Sequence, residues 1–424
     1  MVRARFRCAV LLAIVVVVGL VVFAALTYPR FRADVQPNRE RLLSESDVLT
    51  TEGFGDIEYA VQGEGLPVLL AHGAGGGYDQ GLLIGENYVG DGHRLIAPSR
   101  FGYVRSSIPE DGSPAAQADA YAALLDTLGV ERVGVVAFSD GGPSALQFAL
   151  RHPERCEALV MISAKSQSAP PDSLLQGLVF ESVFRSDYLF WLITEYVRPL
   201  LLTMFGVSGD VQEQIAARPR QLSSDFVDSL NSISLREDGI YHDRDTLAVL
   251  PQHEFKPGQI SVPTLVVHAV DDGLQSYSHA ENTATKVPDA EFLSYEQGGH
   301  LLLLQLDEVH EEVATFHERH FGDAYKRARY ESTLASMTTT AHKILYWLTA
   351  SLCVPQGRTF RPTPRLLPEN PRETVRGVPL ARSRRKFGQD REGETSPNVP
   401  FDRRMGLGLV GQGCSPVRNF SDSL

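Results

Sequence analysis

The stretch that most limits what this chain can become runs from Arg132 to Arg151, VGVVAF followed by Ser139-Asp140-Gly141-Gly142 and then PSALQFAL. Its first half is a short β-branched apolar run, the pattern of a strand buried on both faces. Its second half, from Pro143 onward, carries apolar residues at helical spacing. A strand that reverses directly into a helix forces its turn residue into sparsely populated φ/ψ. Only small neighbours, here Ala137 and Gly141, leave room for such a turn. The outcome is a hydroxyl, that of Ser139, held out at the strand's C-terminal edge and at the positive end of the following helix. A serine in an ordinary strand-to-helix turn has the same local pattern, so the rest of the chain must decide.

Around this turn, strand and helix patterns alternate. Strands are expected over 56–61, 67–72, 94–98, 158–163, 264–270 and 290–295, with an amphipathic helix over 114–129 and a last helix running to about Phe321. The alternation predicts an α/β fold with a mostly parallel, doubly wound sheet. From about 166 to 259 the rhythm breaks into a helical insertion rich in Phe180, Phe184, Tyr188, Phe190, Trp191, Tyr196 and Phe205. We expect a helical cap over the C-terminal edge of the sheet. Its apolar side chains either pack the cap onto the body or, over 189–205, dip into a bilayer interface.

Residues 8–28 form an uncharged apolar run, long enough to cross a bilayer as one helix. Arg3, Arg5 and Arg7 precede it, and Arg30 and Arg32 follow. A cleaved signal peptide is the competing reading, but Phe23-Ala24-Ala25 is a poor cleavage site. The expectation is therefore a retained single-pass transmembrane helix within an anchor, 1–32, with the N-terminus cytoplasmic and the body extracytoplasmic. A polar linker is expected over 33–53, a globular domain over 54–322, and a basic, largely disordered extension over 323–424 that contains Arg382-Ser383-Arg384-Arg385-Lys386. The chain's net charge is −12. The body is more acidic than that figure, since both flanking segments are basic. Such a body repels phosphate, which argues against a nucleic-acid partner. The four cysteines, at 8, 156, 353 and 414, are too scattered for a zinc site or a disulfide framework.

Three further segments carry chemistry. His72-Gly73-Ala74-Gly75-Gly76-Gly77 follows a strand, and its glycines let backbone N–H groups approach a ligand closely. No Gly-Lys-Ser/Thr follows, so it is not a phosphate-binding P-loop. His72 reads as a residue bracing that loop. Asp271-Asp272-Gly273 follows the strand 264–270, and Gly298-Gly299-His300 follows the last strand. Ser139 is a poor nucleophile without a base in reach. His300 is the one histidine that directly follows a strand edge beside a freeing glycine. His268 lies inside a strand, and His317 and His320 read as a solvated helix face.

In this order, loop, Ser, Asp, His, the chain resembles the α/β-hydrolase fold superfamily over roughly 54–322. The segment Ser99-Arg100-Phe101-Gly102-Tyr103 is also similar to the corresponding family loop. The resemblance implies a triad of Ser139, His300 and Asp272, with Asp271 as the alternative acid. It also implies oxyanion donors at the backbone N–H groups of Ala74 and Asp140, acyl-type hydrolysis, and no cofactor or metal. A serine nucleophile argues against the dehalogenase and epoxide-hydrolase branches. The expected partners are a small hydrophobic acyl or ester substrate and, through the N-terminal helix, membrane lipid. A C–C bond hydrolase, an acyltransferase, and a hydrolase-like receptor with little turnover remain open on the same residues.

Overall fold

The computed structural model describes residues 2–168, 183, 185–204, 207, 209, 222–249, 255–321 and 382–386. Its strands are β1 (Asp47–Thr51), β2 (Gly55–Gln62), β3 (Leu66–Ala71), β4 (His93–Pro98), β5 (Val133–Phe138), β6 (Cys156–Ile162), β7 (Thr264–Ala269), β8 (Glu291–Tyr295) and β9 (Arg382–Lys386). They form one sheet in the order β1-β2-β4-β3-β5-β6-β7-β8-β9. The six central strands run parallel, while β1, β2 and β9 add antiparallel edges. Every residue of β5 and of β7 is buried, as expected for strands covered by helices on both faces.

On one face, α3 (Pro114–Thr127) and α4 (Gly142–Arg151) pack over Leu69, Val135, Leu159 and Val266. Ser113 caps α3 by accepting from the Ala116 N–H at 3.2 Å, and Pro114 occupies the first turn, where its missing N–H costs nothing. The other face holds α2 (Tyr78–Ile84) and the last described helix, α10 (Leu306–Phe321). Between α4 and α10, the described residues form α5 (Asp187–Tyr196), α6 (Arg198–Met204), α7 (Leu222–Ser229) and α8 (Glu237–Val249) of the cap, and α9 (Tyr277–Lys286), which lies against β7.

Three expectations need correction. Residues 33–44 are not a linker: α1 runs unbroken over Val2–Ser44, and β1 follows almost at once. The reason is apolar spacing in a polar-looking segment. Phe31, Val35 and Leu42 are all buried, the first two against Trp191 of α5 and the third in the main core. Second, Arg382–Lys386 pairs antiparallel with β8 as an edge strand. An edge strand needs partners on one side only, so its sequence shows little apolar signal. The rest of 323–424 lies outside the described residues, as do Phe180, Phe184 and Phe205. Third, His317 is not solvated; it is buried beside His93, with Nδ1 3.2 Å from His93 Nε2.

Burial holds His317 down to about 3, helped by neighbouring His93 and His320. Burial, then the Lys165 charge, holds His279 down to about 4, against smaller opposing effects of Asp140 and Asp272. Both values lie below the ordinary histidine range near 6.5. Between those values the unfolded chain therefore binds protons that the folded chain does not. Stability should be complete above about pH 6.5 and fall as pH drops, by up to about 1.4 kcal/mol per pH unit for each group. Melting temperature measured from pH 7.5 to pH 5 should show this slope, and His317→Gln should flatten it. An unchanged slope in the variant would contradict the assignment.

Candidate active site

The C-terminal ends of β3, β4, β5, β6, β7 and β8 all open on one edge, where an open α/β sheet presents its ligands. At the end of β5 the chain turns through Ser139-Asp140-Gly141 into α4. Ser139 has φ +53°, left-handed backbone for a non-glycine residue, at a cost of roughly 1–3 kcal/mol. The surroundings enforce it. A Cβ at Gly141 would lie 2.1 Å from the Ala71 carbonyl oxygen, and one at Gly142 would lie 2.1 Å from the Lys165 carbonyl oxygen. A Cβ at Gly73 would meet Ser139 Cβ at 2.9 Å, so the loop after β3 passes directly over the serine.

Asp272 and His300, from the turns after β7 and β8, meet at this edge. His300 Nδ1 lies 2.8 Å from Asp272 Oδ2. Asp272 Oδ1 accepts from the N–H groups of Leu274 and Gln275, at 2.8 and 2.9 Å. The carboxyl is fully buried. Burial alone would raise its pKa, but the His300 charge and hydrogen bond hold it below the usual carboxylate range. Asp271, the alternative, points elsewhere and accepts from the Gly299 N–H at 2.8 Å, bracing the loop that carries His300. The His300 ring packs on Phe138, centroids 4.9 Å apart, which brings it beside the serine turn. No hydrogen bond joins Ser139 Oγ to His300 among the described residues; in unliganded enzymes this contact often tightens only when substrate binds.

The loop after β3 is held from several sides. His72 Nδ1 donates to the Gly73 carbonyl at 2.7 Å, while Nε2 accepts from the Arg100 N–H at 2.8 Å, fixing one tautomer. Burial, with Arg100 next, depresses the His72 pKa well below its ordinary value, so the ring is a neutral brace. The N–H groups of Gly73, Gly75 and Gly76 are taken by Gln80 Oε1, Tyr103 Oη and the Gly73 carbonyl. Ala74, exposed at the loop's tip, shows no such bond among the described residues, and neither does the N–H of Asp140.

Sequence reasoning missed the polar joints around these groups. Arg100 donates from Nε to the His72 carbonyl at 2.9 Å and forks onto Asp243 of α8 at 2.7 and 2.5 Å. Arg236, 1% exposed, forks onto Asp79 of α2 at 3.1 and 2.8 Å. The two buried pairs tie the cap to both sides of the loop after β3. Asp140 accepts from Lys165 Nζ at 2.7 Å and from Gln275 Nε2 at 2.8 Å. Burial would raise its pKa, but Lys165 holds it below the ordinary value. His268 is not merely a core residue: its Nε2 lies 3.1 Å from the Gln275 carbonyl and 3.3 Å from Asp272 Oδ2. For Lys165 the sequence offers no more than its being one of three lysines between residues 33 and 322. The arginine–aspartate pairs join residues far apart in sequence and left none.

The cap lays an apolar roof here. Phe226 packs edge-on to Phe138 at 5.8 Å between centroids, and Leu230, Ile233 and Ile240 close on Gly75.

A model of the alpha/beta hydrolase fold family matches residues 67–306, more than half of the chain. The chain belongs to that family. Among curated relatives, this α/β hydrolase is 29% identical over 272 residues to the uncharacterized hydrolase YcgS of Bacillus subtilis, covering 61% of this chain and 92% of the relative. It is 28% identical over 269 residues to a 2-hydroxy-6-oxononadienedioate/2-hydroxy-6-oxononatrienedioate hydrolase of Paraburkholderia xenovorans, covering 59% and 86%. Among solved structures, an alpha/beta hydrolase fold protein from Nakamurella multipartita superposes with a TM-score of 0.56 at 27% identity, covering 64% of this chain and 98% of that one.

Proposed function

We propose that this α/β hydrolase is a membrane-anchored serine hydrolase that cleaves a hydrophobic ester through an acyl-enzyme. The observation that carries the reading is the placement of Ser139, in strained backbone at the sheet edge, beside a His300 whose Nδ1 is engaged by buried Asp272. With Nδ1–H donated to the carboxylate, His300 Nε2 presents its lone pair and can take the Ser139 proton as Oγ attacks the substrate carbonyl. The oxyanion is received by the N–H groups of Ala74 and Asp140. The imidazolium then protonates the departing alcohol, and a water activated by the same ring hydrolyses the acyl-serine. No cofactor enters this chemistry.

Ester hydrolysis leads because the roof of Phe226, Leu230, Ile233 and Ile240 suits an apolar acyl group. The buried cations nearest the serine turn, Lys165, Arg100 and Arg236, are already paired with Asp140, Asp243 and Asp79. C–C bond hydrolysis is the second reading, favoured by the name of the Paraburkholderia relative. Those substrates are carboxylates, and binding one at these cations would require breaking an existing pair. A panel of p-nitrophenyl esters from acetate to palmitate, set beside a 2-hydroxy-6-oxodienoate, separates the two. Turnover of the dienoate alone would overturn the ester reading.

Membrane attachment rests on α1. Its apolar part is long enough to cross a bilayer, a property shared with signal sequences, and its side chains from Val10 to Phe23 are exposed. We assign it as a single-pass anchor with the body on the extracytoplasmic side. Full-length protein should resist alkaline extraction from membranes. Deleting residues 1–26 should release an active chain, because Tyr28, Phe31, Val35 and Leu42 stay on the body. Deleting 1–45 should instead strip the joint to α5 and lower the melting temperature. Recovery of a mature chain starting near Leu26 would contradict the anchor.

A further inference from the structure

An anchor joined by a free linker leaves its domain at any height above the bilayer. This chain has no free linker at that point. The continuation of α1 is packed along the cap helix α5 from Thr27 onward. Thr27 Oγ1 lies 2.5 Å from Tyr188 Oη. The Phe31 ring packs edge-on to Tyr188 and Trp191, at 5.3 and 5.8 Å between centroids, and Tyr28 stands 5.8 Å from Tyr188. Trp191 Nε1 donates to Asp34 Oδ2 at 3.2 Å, Arg30 pairs with Glu195, and Arg39 Nη1 lies 3.5 Å from Asp187 Oδ2. Lower down, the Tyr78 hydroxyl donates to the Leu42 carbonyl at 2.9 Å, fastening α1 to the body as well. The height of the cap above a membrane holding α1 is thus fixed by the helix itself.

One side of α5 is used in this joint, through Tyr188, the buried Trp191 and Glu195. The other side leaves Leu189, Tyr196 and Val197 exposed at 43%, 52% and 39%. Leu189 and Tyr196 are seven residues apart, on the same helix face. The Tyr196 ring lies 6.1 Å from Phe23, inside the apolar run of α1, where Leu20, Val21 and Leu26 are also exposed. The uncovered face of the cap is therefore continuous with the surface that the anchor offers to lipid. Of the other exposed large apolar residues of the body, Val48 lies in β1, Ile108 between β4 and α3, and Val270 directly after β7.

We infer that the segment from Leu189 to Val197 is seated in the headgroup–acyl boundary of the bilayer that holds α1, so that the site is loaded with acyl esters dissolved in lipid. Depth agrees with this. Tyr28, followed by Arg30 and Arg32, marks the water–lipid boundary, as interfacial aromatics do. Phe23 lies five helical residues, roughly 7.5 Å, further in, and it carries Tyr196 with it. Interfacial helices bury their apolar faces about 5–10 Å below that boundary. The cap that roofs Ser139 with Phe226 and Leu230 also carries α5, so the helix placed in the lipid and the roof of the site belong to one insertion.

This inference rests on the anchored-esterase reading, and the test keeps the two apart. The full chain is reconstituted in phosphatidylcholine–phosphatidylglycerol vesicles with and without brominated acyl chains. Tyr196→Trp should add fluorescence that brominated lipid quenches at least about twofold, and Ile108→Trp should add fluorescence that it leaves unquenched. In parallel, the double substitution Leu189→Glu with Val197→Glu should lower the ratio of vesicle-borne p-nitrophenyl palmitate turnover to p-nitrophenyl acetate turnover by about tenfold. Taking the ratio removes any general loss of folded enzyme. Flotation with vesicles and acetate turnover by the unaltered chain report on the anchor and the esterase themselves. If both hold while the added tryptophan is unquenched or the ratio is unchanged, the interfacial cap is overturned and the proposed function stands. A dimer cross-linked through position 196 would assign the face to a second copy and overturn it equally.

Discussion

Ser139→Ala is expected to lower kcat on a short p-nitrophenyl ester by at least about 10³-fold, with little change in melting temperature. The loss follows because the proposed acyl-enzyme forms on the Ser139 Oγ, which alanine lacks. The rate that remains is what the oxyanion donors and binding supply without covalent catalysis. Stability should barely move because alanine meets the same left-handed backbone at φ +53° and removes only a hydroxyl that bonds no group among the described residues. Circular dichroism and a melting curve on the same preparation separate lost chemistry from lost folding. Activity near that of the unaltered enzyme, in a folded variant, would remove Ser139 from the mechanism.

Asp272→Asn should be nearly as severe, while Asp271→Asn should cost no more than a few-fold. The difference comes from which oxygen each neighbour needs. Asp272 Oδ1 already accepts two backbone N–H groups, at 2.8 and 2.9 Å. In the asparagine variant the amide oxygen must stay there, so the NH₂ group turns toward His300 Nδ1, where Oδ2 stood at 2.8 Å. His300 must then offer a lone pair at Nδ1 and carry its proton on Nε2, the tautomer that cannot deprotonate Ser139. The same change in a serine-protease triad costs about 10⁴-fold in kcat. At Asp271 the task is to accept the Gly299 N–H, and an amide oxygen does that as well as a carboxylate. KM should change little in either variant. A crippled Asp271→Asn beside an active Asp272→Asn would move the acid by one residue without touching the fold.

The alternation of strands and helices was legible because parallel strands covered on both faces are written as continuous apolar runs. The strand ends read from such runs agree with β2 to β8 within one or two residues. The turn that carries Ser139 and the loop that carries His300 were legible because small residues must flank a hydroxyl on a tight turn, and a glycine must free a histidine after the last strand. The choice of Asp272 over Asp271 was not derivable from residue type: two adjacent carboxylates look alike until one is found facing an imidazole and the other a backbone N–H. The course of α1 past residue 32 was hidden because its buried positions, Phe31, Val35 and Leu42, are diluted by the polar residues Asp34, Asn38, Arg39 and Glu40 between them. The fork of Arg100 onto Asp243 spans 143 residues, a separation at which no local pattern carries information. The cap's attachment is therefore the part of the site that only three-dimensional placement discloses.

The central claim, that Ser139 is acylated and turned over repeatedly, is tested most directly by fluorophosphonate labelling of the full-length enzyme, read by mass spectrometry together with ester turnover on the same sample. The expected result is one adduct per chain, located on Ser139, with loss of turnover in proportion to labelling and many product molecules per chain beforehand. Labelling at another residue, or a single turnover followed by stable ligand retention, would contradict the account; the second outcome would make the chain a receptor built on a hydrolase fold.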